Sequence, residues 1–344
     1  MTCSNTPFLQ AALEAVATAA VITQRVQANL DAIGSHTKDD RSPVTVADYA
    51  SQAIVSLVLE EAGLPHADRL IVGEEAAAGL RLESQTPIRQ AVVATVGAWR
   101  PGLGEDDILN AIDRCDHDGS SGGFWTLDPV DGTKGFLRGQ QYAIALGRIE
   151  DGEVVLGVLG CPNLPVDVAI EPTEADPTGI GSLYAAGKGQ GAWEFPQADP
   201  LATPLRINCP IWTSDMPVRT CASVEKAHSN RSDTDRLLEH LGASVNPVRL
   251  DSQAKYAVLA RGQANAYLRM PTRADYIERI WDHAAGCILA QEAGALVSDI
   301  TGQPLDFSCG AGLERNSGVI AAADGLHQRL IKGIDALSMA ATPS

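Results

Sequence analysis

Apolar positions recur in a helical rhythm over 6–33, where the run from Phe8 to Ile22 is interrupted by Gln10, Glu14 and Thr18. The same rhythm returns over 45–62, with Ala53, Ile54, Leu57 and Val58 on one face. Both stretches predict helices, and Leu70-Ile71-Val72-Gly73 predicts a strand at 69–73. From about 79 to 123 the pattern lapses. A Pro-Gly pair, the acidic patch Glu105-Asp106-Asp107 and the polar run from Asp116 to Gly123 punctuate it, and only the spacing of Ile108 and Ile112 admits a short helix. This segment is expected to be an exposed excursion. Tyr142–Arg148 and Val154–Leu159 then predict strands, with Glu150-Asp151-Gly152-Glu153 as a hairpin signal between them. Leu183–Ala186 and Gly191–Trp193 flank another Gly-rich turn. Past a Pro-rich stretch at 196–204, strand and helix signals alternate through 220–224, 233–241, 252–260, 264–268, 283–292, 295–299, 319–322 and 326–336. Such an order points to an α/β chain with two layered sheet lobes.

Composition narrows function more than fold. A formal net charge of -17 over 344 residues argues against nonspecific binding to a nucleic acid polymer, which needs basic patches to displace counterions. An anionic substrate would have to be held by bound cations and a few local Lys or Arg side chains. Seven Cys, at 3, 115, 161, 209, 221, 287 and 309, contain no C-x-x-C spacing and are expected to be reduced core residues. The start lacks a basic n-region, and the first apolar run is amphipathic, so neither a targeting segment nor a membrane span is expected and the location is expected to be cytoplasmic.

Asp128-Pro129-Val130-Asp131-Gly132-Thr133-Lys134-Gly135-Phe136 places two carboxylates three residues apart, in what reads as a turn held rigid by Pro and Gly. Such a turn suits a hard cation: Mg²⁺ takes oxygen ligands, keeps several waters and sits on one or two carboxylates while phosphate oxygens complete its shell. Asp-Pro and Asp-Gly are also ordinary turn dipeptides. Three further acidic positions stand in specific surroundings. Asp48 lies where a helical pattern begins, and Thr45-x-x-Asp48 reads equally as a capping box. Glu74 and Glu75 would emerge together at a strand end, or be plain solvated charge. Asp282 would sit at the start of a helix running to about Gln291, as an ordinary N-cap or near an anion site.

IVGEE at 71–75, FWTLDPVDGTKGFLRG at 124–139 and IWDHAAG at 280–286 resemble the motifs of the lithium-sensitive, Mg²⁺-dependent phosphomonoesterases of the inositol monophosphatase superfamily. SPVTVADYASQ at 42–52, GTKGFLRGQQYAIAL at 132–146, LGCPNLP at 159–165, SVEKAHS at 223–229 and DSQAKY at 251–256 are similar to its bisphosphate nucleotidase branch, so the resemblance covers nearly the whole chain. It implies a layered αβαβα sandwich of the inositol monophosphatase and fructose-1,6-bisphosphatase type. An α+β lobe at 1–204 would carry most metal ligands, and an α/β lobe at 205–344 would carry nucleotide recognition and Asp282, with the metal site between them.

On that resemblance, Glu74, Asp128, the Val130 carbonyl, Asp131 and Asp282 would hold two or three Mg²⁺, and Asp48 with Thr133 would position and deprotonate the attacking water. Gly132, Thr133, His228, Ser252, Lys255, Arg269 and Asp282 would contact substrate, with Glu75 and Asp251 in supporting parts. Away from these motifs, Lys255 would read as a solvated helix-face charge and His228 as a core or capping residue. Arg269, at the end of an apolar strand, suits bidentate contact with phosphate. The implied reaction removes the 3′-phosphate of 3′-phosphoadenosine 5′-phosphate, with action on the sulfated analogue, inhibition by Li⁺ and a place in sulfur assimilation. The implied partner is a small phosphorylated nucleotide, and the implied state a monomer.

An inositol polyphosphate 1-phosphatase or inositol monophosphatase is the nearest alternative. The non-enzymatic one is a phosphonucleotide sensor, against which the intact water-activating pair and metal set argue. In one departure, Ser308-Cys309-Gly310-Ala311-Gly312 stands where the branch commonly carries a basic pair around a glycine, which removes positive charge from the C-terminal lobe. In another, Glu292-Ala293-Gly294-Ala295 replaces the commoner EAGG, a packing change.

Overall fold

Thr6 opens α1 (Pro7–Ala28): its hydroxyl accepts from the Leu9 amide at 3.2 Å, and Pro7 takes a first-turn position where no donor is needed. α2 (Ser42–Glu61) packs along α1. It begins at Ser42, so Thr45 and Asp48 lie within the helix and not at its start, where a capping box would place them. The segment expected to be an exposed excursion is largely helical. α3 (Thr86–Trp99) and α4 (Glu105–Asp113) lean on α2 and bury Val92, Val96, Ile108, Leu109 and Ile112.

The computed structural model describes residues 6–29, 42–120, 122–224, 231–243, 247–273 and 275–339. Its first sheet has seven strands in sequence order: β1 (Ile71–Gly73), β2 (Gly123–Asp131), β3 (Ala143–Glu150), β4 (Glu153–Cys161), β5 (Ser182–Gly187), β6 (Gly191–Pro196) and β7 (Leu205–Ile207). β1 and β2 are parallel and the remaining neighbours antiparallel. Asp151 and Gly152, at φ of 50° and 80°, make the two-residue turn between β3 and β4. The second sheet, β11-β12-β10-β8-β9, combines β8 (Thr220–Ala222), β9 (Val248–Arg249), β10 (Ala266–Arg269), β11 (Ala295–Ser298) and β12 (Val319–Ala323).

Alternation along β3 divides the interior. Ile144 and Leu146 join a cluster with α1 and α2, whereas Ala143 and Ala145 join the core that also holds α7 (Ala254–Ala260), α8 (Ala284–Glu292) and the second sheet. α6 (Arg231–His240) meets α9 (His327–Ala336), which packs on β12. The layers are therefore α1/α2, sheet, α7/α8, sheet, α6/α9, the expected αβαβα sandwich. Cys115, Cys161, Cys209, Cys221 and Cys287 are buried free thiols, and Cys309 is half-buried.

The middle helical layer is tight at Gly286, where an added Cβ would lie 2.2 Å from the Tyr256 ring. Both residues are buried, and the nearest atoms belong to an aromatic ring and not to the end of a flexible chain. Gly286→Ala is expected to lower stability by about 1–3 kcal/mol through overpacking, read as a lower urea midpoint at unchanged slope.

Candidate active site

Two strands deliver the first carboxylates together. β1 runs parallel to β2 with Gly73 opposite Leu127, so Glu74 leaves β1 level with Asp128. In a regular strand Asp128 and Asp131, an odd number of residues apart, would face opposite sides of the sheet. A bulge reverses that parity: Asp128 pairs with Ala145 and Asp131 with Ala143, three steps on β2 against two on β3. The acidic motif is thus a bulged strand end, not the turn expected of it. The turn follows at Gly132, whose φ of 91° requires glycine, and α5 (Thr133–Leu137) starts immediately after.

Asp128, Val130 and Asp131 line a cleft of about 380 Å³ with Glu74, Gly132, Thr133, Ser252, Lys255, Arg269 and Asp282. Residues from the ends of both sheets therefore meet in one cavity. Asp282 closes a single 3₁₀ turn, Ile280–Asp282, and α8 begins only after His283, so Asp282 is not the N-cap. Asp48 approaches from α2, which packs against both β2 and α5.

Several placements depend on residues that the motifs did not single out. Gln52, one helical turn after Asp48, is fully buried; its amide nitrogen donates to the Glu75 and Ile112 carbonyls at 2.7 and 3.1 Å, while its oxygen accepts from the Glu75 amide at 3.1 Å. It fixes the backbone that presents Glu74. Gln253 donates its backbone N–H to Asp131, its side-chain amide to the Trp281 carbonyl at 2.7 Å, and accepts from the Gly286 amide at 2.9 Å. One residue thereby ties Asp131 to the segment carrying Asp282. The i+4 spacing from Asp48 to Gln52 was a readable signal; Gln253 had none beyond its place in DSQAKY. Lys134 and Tyr276 also line the cleft.

Lys255 is buried, donates to the Ser252 carbonyl at 2.6 Å and sits 5.2 Å from the centre of the Tyr267 ring. It is not the solvated helix-face charge that its position alone would suggest. Ser252 holds a left-handed φ of 70°, a local strain of the kind that clusters at functional sites. Asp251 is paired with Arg138 from the first sheet's side of the cleft and accepts from Ser223 Oγ at 3.3 Å. The Tyr49 hydroxyl donates to the Ala76 carbonyl at 3.5 Å, next to Glu75, whose carboxyl pKa is raised by burial and lowered in part by Tyr49. Cys309 and Ala311 lie outside the cleft lining, and Gly310 between them packs against Gly119. His228 falls outside the described residues.

The field in the cleft is strongly negative. Burial, then the charges of Asp282, Glu75 and Asp131, pushes Glu74 up to about 7. Burial and then Asp282 push Asp131 up to about 6. Asp128 rises well above the usual carboxylate range through burial and then Glu74 and Asp131, and Asp48 does so through burial and then Glu75 and Glu74. Burial in turn lowers Lys255, against the opposing pull of Asp131 and Asp251. These carboxylates destabilise one another's charged forms, and a cation among them would relieve that repulsion. A donor set made wholly of carboxylate and carbonyl oxygens suits Mg²⁺ rather than a softer metal.

Comparison with known proteins identifies the family. The sequence model of the inositol monophosphatase family matches residues 4–338. The 3′(2′),5′-bisphosphate nucleotidase of Schizosaccharomyces pombe is 39% identical over 343 residues, spanning 96% of this chain and 95% of its own. That of Oryza sativa is 42% identical over 338 residues, spanning 95% and 93%. Among solved structures, the inositol monophosphatase of Anabaena superposes with a TM-score of 0.58 at 19% identity, covering 96% of this chain and 95% of its own, a likeness of fold.

Proposed function

The chain belongs to the inositol monophosphatase family, and from that premise we propose that it is a Mg²⁺-dependent, Li⁺-sensitive phosphomonoesterase converting 3′-phosphoadenosine 5′-phosphate to AMP and phosphate, and acting also on the sulfated analogue. The observation that carries the reading is the convergence of Glu74, Asp128, Asp131 and Asp282 on the cleft that also holds Lys255 and Arg269. The names of the relatives support the nucleotide over an inositol phosphate as substrate.

Glu74, Asp128, the Val130 carbonyl, Asp131 and Asp282 would hold the metal, as two or three ions. The chemistry a bound Mg²⁺ supplies is neutralisation of phosphate charge and acidification of water. The chain's own part begins with Asp48, whose carboxylate, made more basic by burial and by Glu75 and Glu74, accepts the proton of the attacking water. The Thr133 hydroxyl orients that water from the start of α5. Lys255, His228 and Ser252 bind the nucleotide, and Gly132 leaves room beside Ser252, whose Cβ would stand 3.0 Å from any Cβ at position 132. We divide the chain functionally at 204/205, with the metal set before it except for Asp282 and nucleotide recognition after it.

Phosphate release from 3′-phosphoadenosine 5′-phosphate, inositol 1,4-bisphosphate and inositol 1-phosphate, each with Mg²⁺ and with Mg²⁺ plus Li⁺, tests the reading. A nucleotide preference in kcat/KM of about tenfold, or about 1.4 kcal/mol, is expected; inositol preference would overturn the substrate. Lys255→Ala is expected to raise KM for the nucleotide about tenfold with kcat changed less. Unchanged nucleotide kinetics would remove Lys255 from the site.

A further inference from the structure

Behind Asp282 lies a chain of polar groups in which Tyr256, His283 and Glu278 have no part assigned so far. The Tyr256 hydroxyl meets His283 Nδ1 at 2.9 Å, and His283 Nε2 meets Glu278 Oε2 at 3.1 Å. Glu278 then grips Arg269 twice, Oε1 accepting from Nε at 2.9 Å and Oε2 lying 2.6 Å from Nη2. Arg269 Nη2 reaches Asp282 Oδ2 at 3.3 Å. Side-chain exposure is 4% for Glu278 and 0% for His283, whereas Asp282, at 22%, opens onto the cleft.

This geometry changes what is expected of Arg269. Bidentate contact with phosphate needs a guanidinium edge with two free N–H donors, but the Nε/Nη2 edge holds Glu278, and on the Nη1/Nη2 edge Nη2 reaches Asp282. We propose that Glu278 is a positioning residue: it engages the Nε/Nη2 edge of Arg269 so that the guanidinium steadies Asp282 without closing over it as a bidentate partner. This inference rests on the reading of Asp282 as a metal ligand. Its physical content is a competition for one carboxylate. With Glu278 in place, the positive charge of Arg269 is balanced from behind, and Asp282 keeps oxygen lone pairs for a cation. Without that balance, the strongest remaining partner for Arg269 is Asp282 itself. Glu278, Asp282 and His283 bring ligand-type atoms within 4.8 Å of one another, but Glu278 is bound to Arg269 and His283, so this trio is a support for the cation site and not a second one.

The test compares Mg²⁺ binding, measured by calorimetry and by Mg²⁺-dependent thermal stabilisation, in the unmodified protein, in Glu278→Gln and in Glu278→Gln/Arg269→Met. Glu278→Gln is expected to weaken Mg²⁺ binding about tenfold, the scale on which outer partners of metal ligands act. It should lower kcat at fixed Mg²⁺ with little change in nucleotide KM, and saturating Mg²⁺ should recover part of the loss. The double variant removes the uncompensated guanidinium, so Mg²⁺ binding is expected to return toward that of the unmodified protein. It also serves if the single variant folds poorly, because the guanidinium that Glu278→Gln leaves unbalanced is gone. Unchanged Mg²⁺ affinity in Glu278→Gln, or a double variant that binds Mg²⁺ no better than the single one, overturns the positioning role alone. An unmodified protein that binds no Mg²⁺ overturns the metal reading and this one together.

Discussion

Asp131→Asn is expected to lower kcat by about 10³-fold or more, a loss of about 4 kcal/mol in transition-state stabilisation, without unfolding the protein. The substitution keeps shape and one acceptor oxygen, so the hydrogen bond from the Gln253 amide that ties β2 to the Asp282 segment can persist. What it removes is charge, at a position whose pKa is held up to about 6 by burial and then by Asp282. In the absence of metal that charge is a liability, and the variant's melting temperature in chelator is expected to equal or exceed that of the unmodified protein. In the presence of Mg²⁺ the order should invert, because the unmodified protein gains binding free energy that the variant lacks. Phosphate release and thermal melts, each with chelator and with Mg²⁺, separate the two effects. A variant retaining more than a tenth of the activity would take Asp131 out of the metal set, and one that melts far lower in chelator would show its role to be structural.

The candidate site was legible in sequence to the extent that its residues sit in short contiguous motifs. Asp48, Glu74, Asp128, Asp131 and Asp282 come from four separated stretches, and the fold gathers them. The local geometry was less legible. Asp128-Pro129-Val130-Asp131 has the dipeptides of a turn, yet it continues β2, because a bulge against β3 accommodates both carboxylates on one side. Pairing register is a property of two strands and cannot be read from one. Thr45 and Asp48 had the spacing of a cap, but α2 starts at Ser42. α3 has only Ile88, Val92 and Val96 recurring every fourth residue, a weak signal among the surrounding Pro, Gly and acidic residues. Gln253 and Glu278 had no local signal. Their partners, Asp131 and Arg269, lie 122 and 9 residues away, and the function of each lies in the contact itself.

The second large effect concerns pH and metal together. Glu74 and Asp131 have folded-state pKa values raised to about 7 and about 6, above the ordinary values they resume on unfolding. Between those limits the folded protein binds more protons than the unfolded one, so the stability of the cation-free protein falls as pH rises. The contribution is fully present below the ordinary carboxylate range and is lost as pH passes through about 6 and about 7. Discounting Glu74, whose carboxylate meets solvent in the cleft, the loss between pH 5 and 8 is on the order of 2 kcal/mol, or about 3 °C for a chain of this size. Mg²⁺ should oppose the trend, since it competes with protons for the same oxygens. At a concentration about 100-fold above its Kd it would add about 3 kcal/mol, and the addition should be larger at pH 8 than at pH 5. Chelation at pH 8 is therefore expected to give the lowest melting temperature of the four conditions formed by pH 5 or 8 with chelator or Mg²⁺. A chelated protein that melts higher at pH 8 than at pH 5 would mean that these carboxylates do not share one field, and with it the case for a cation at their centre would fall.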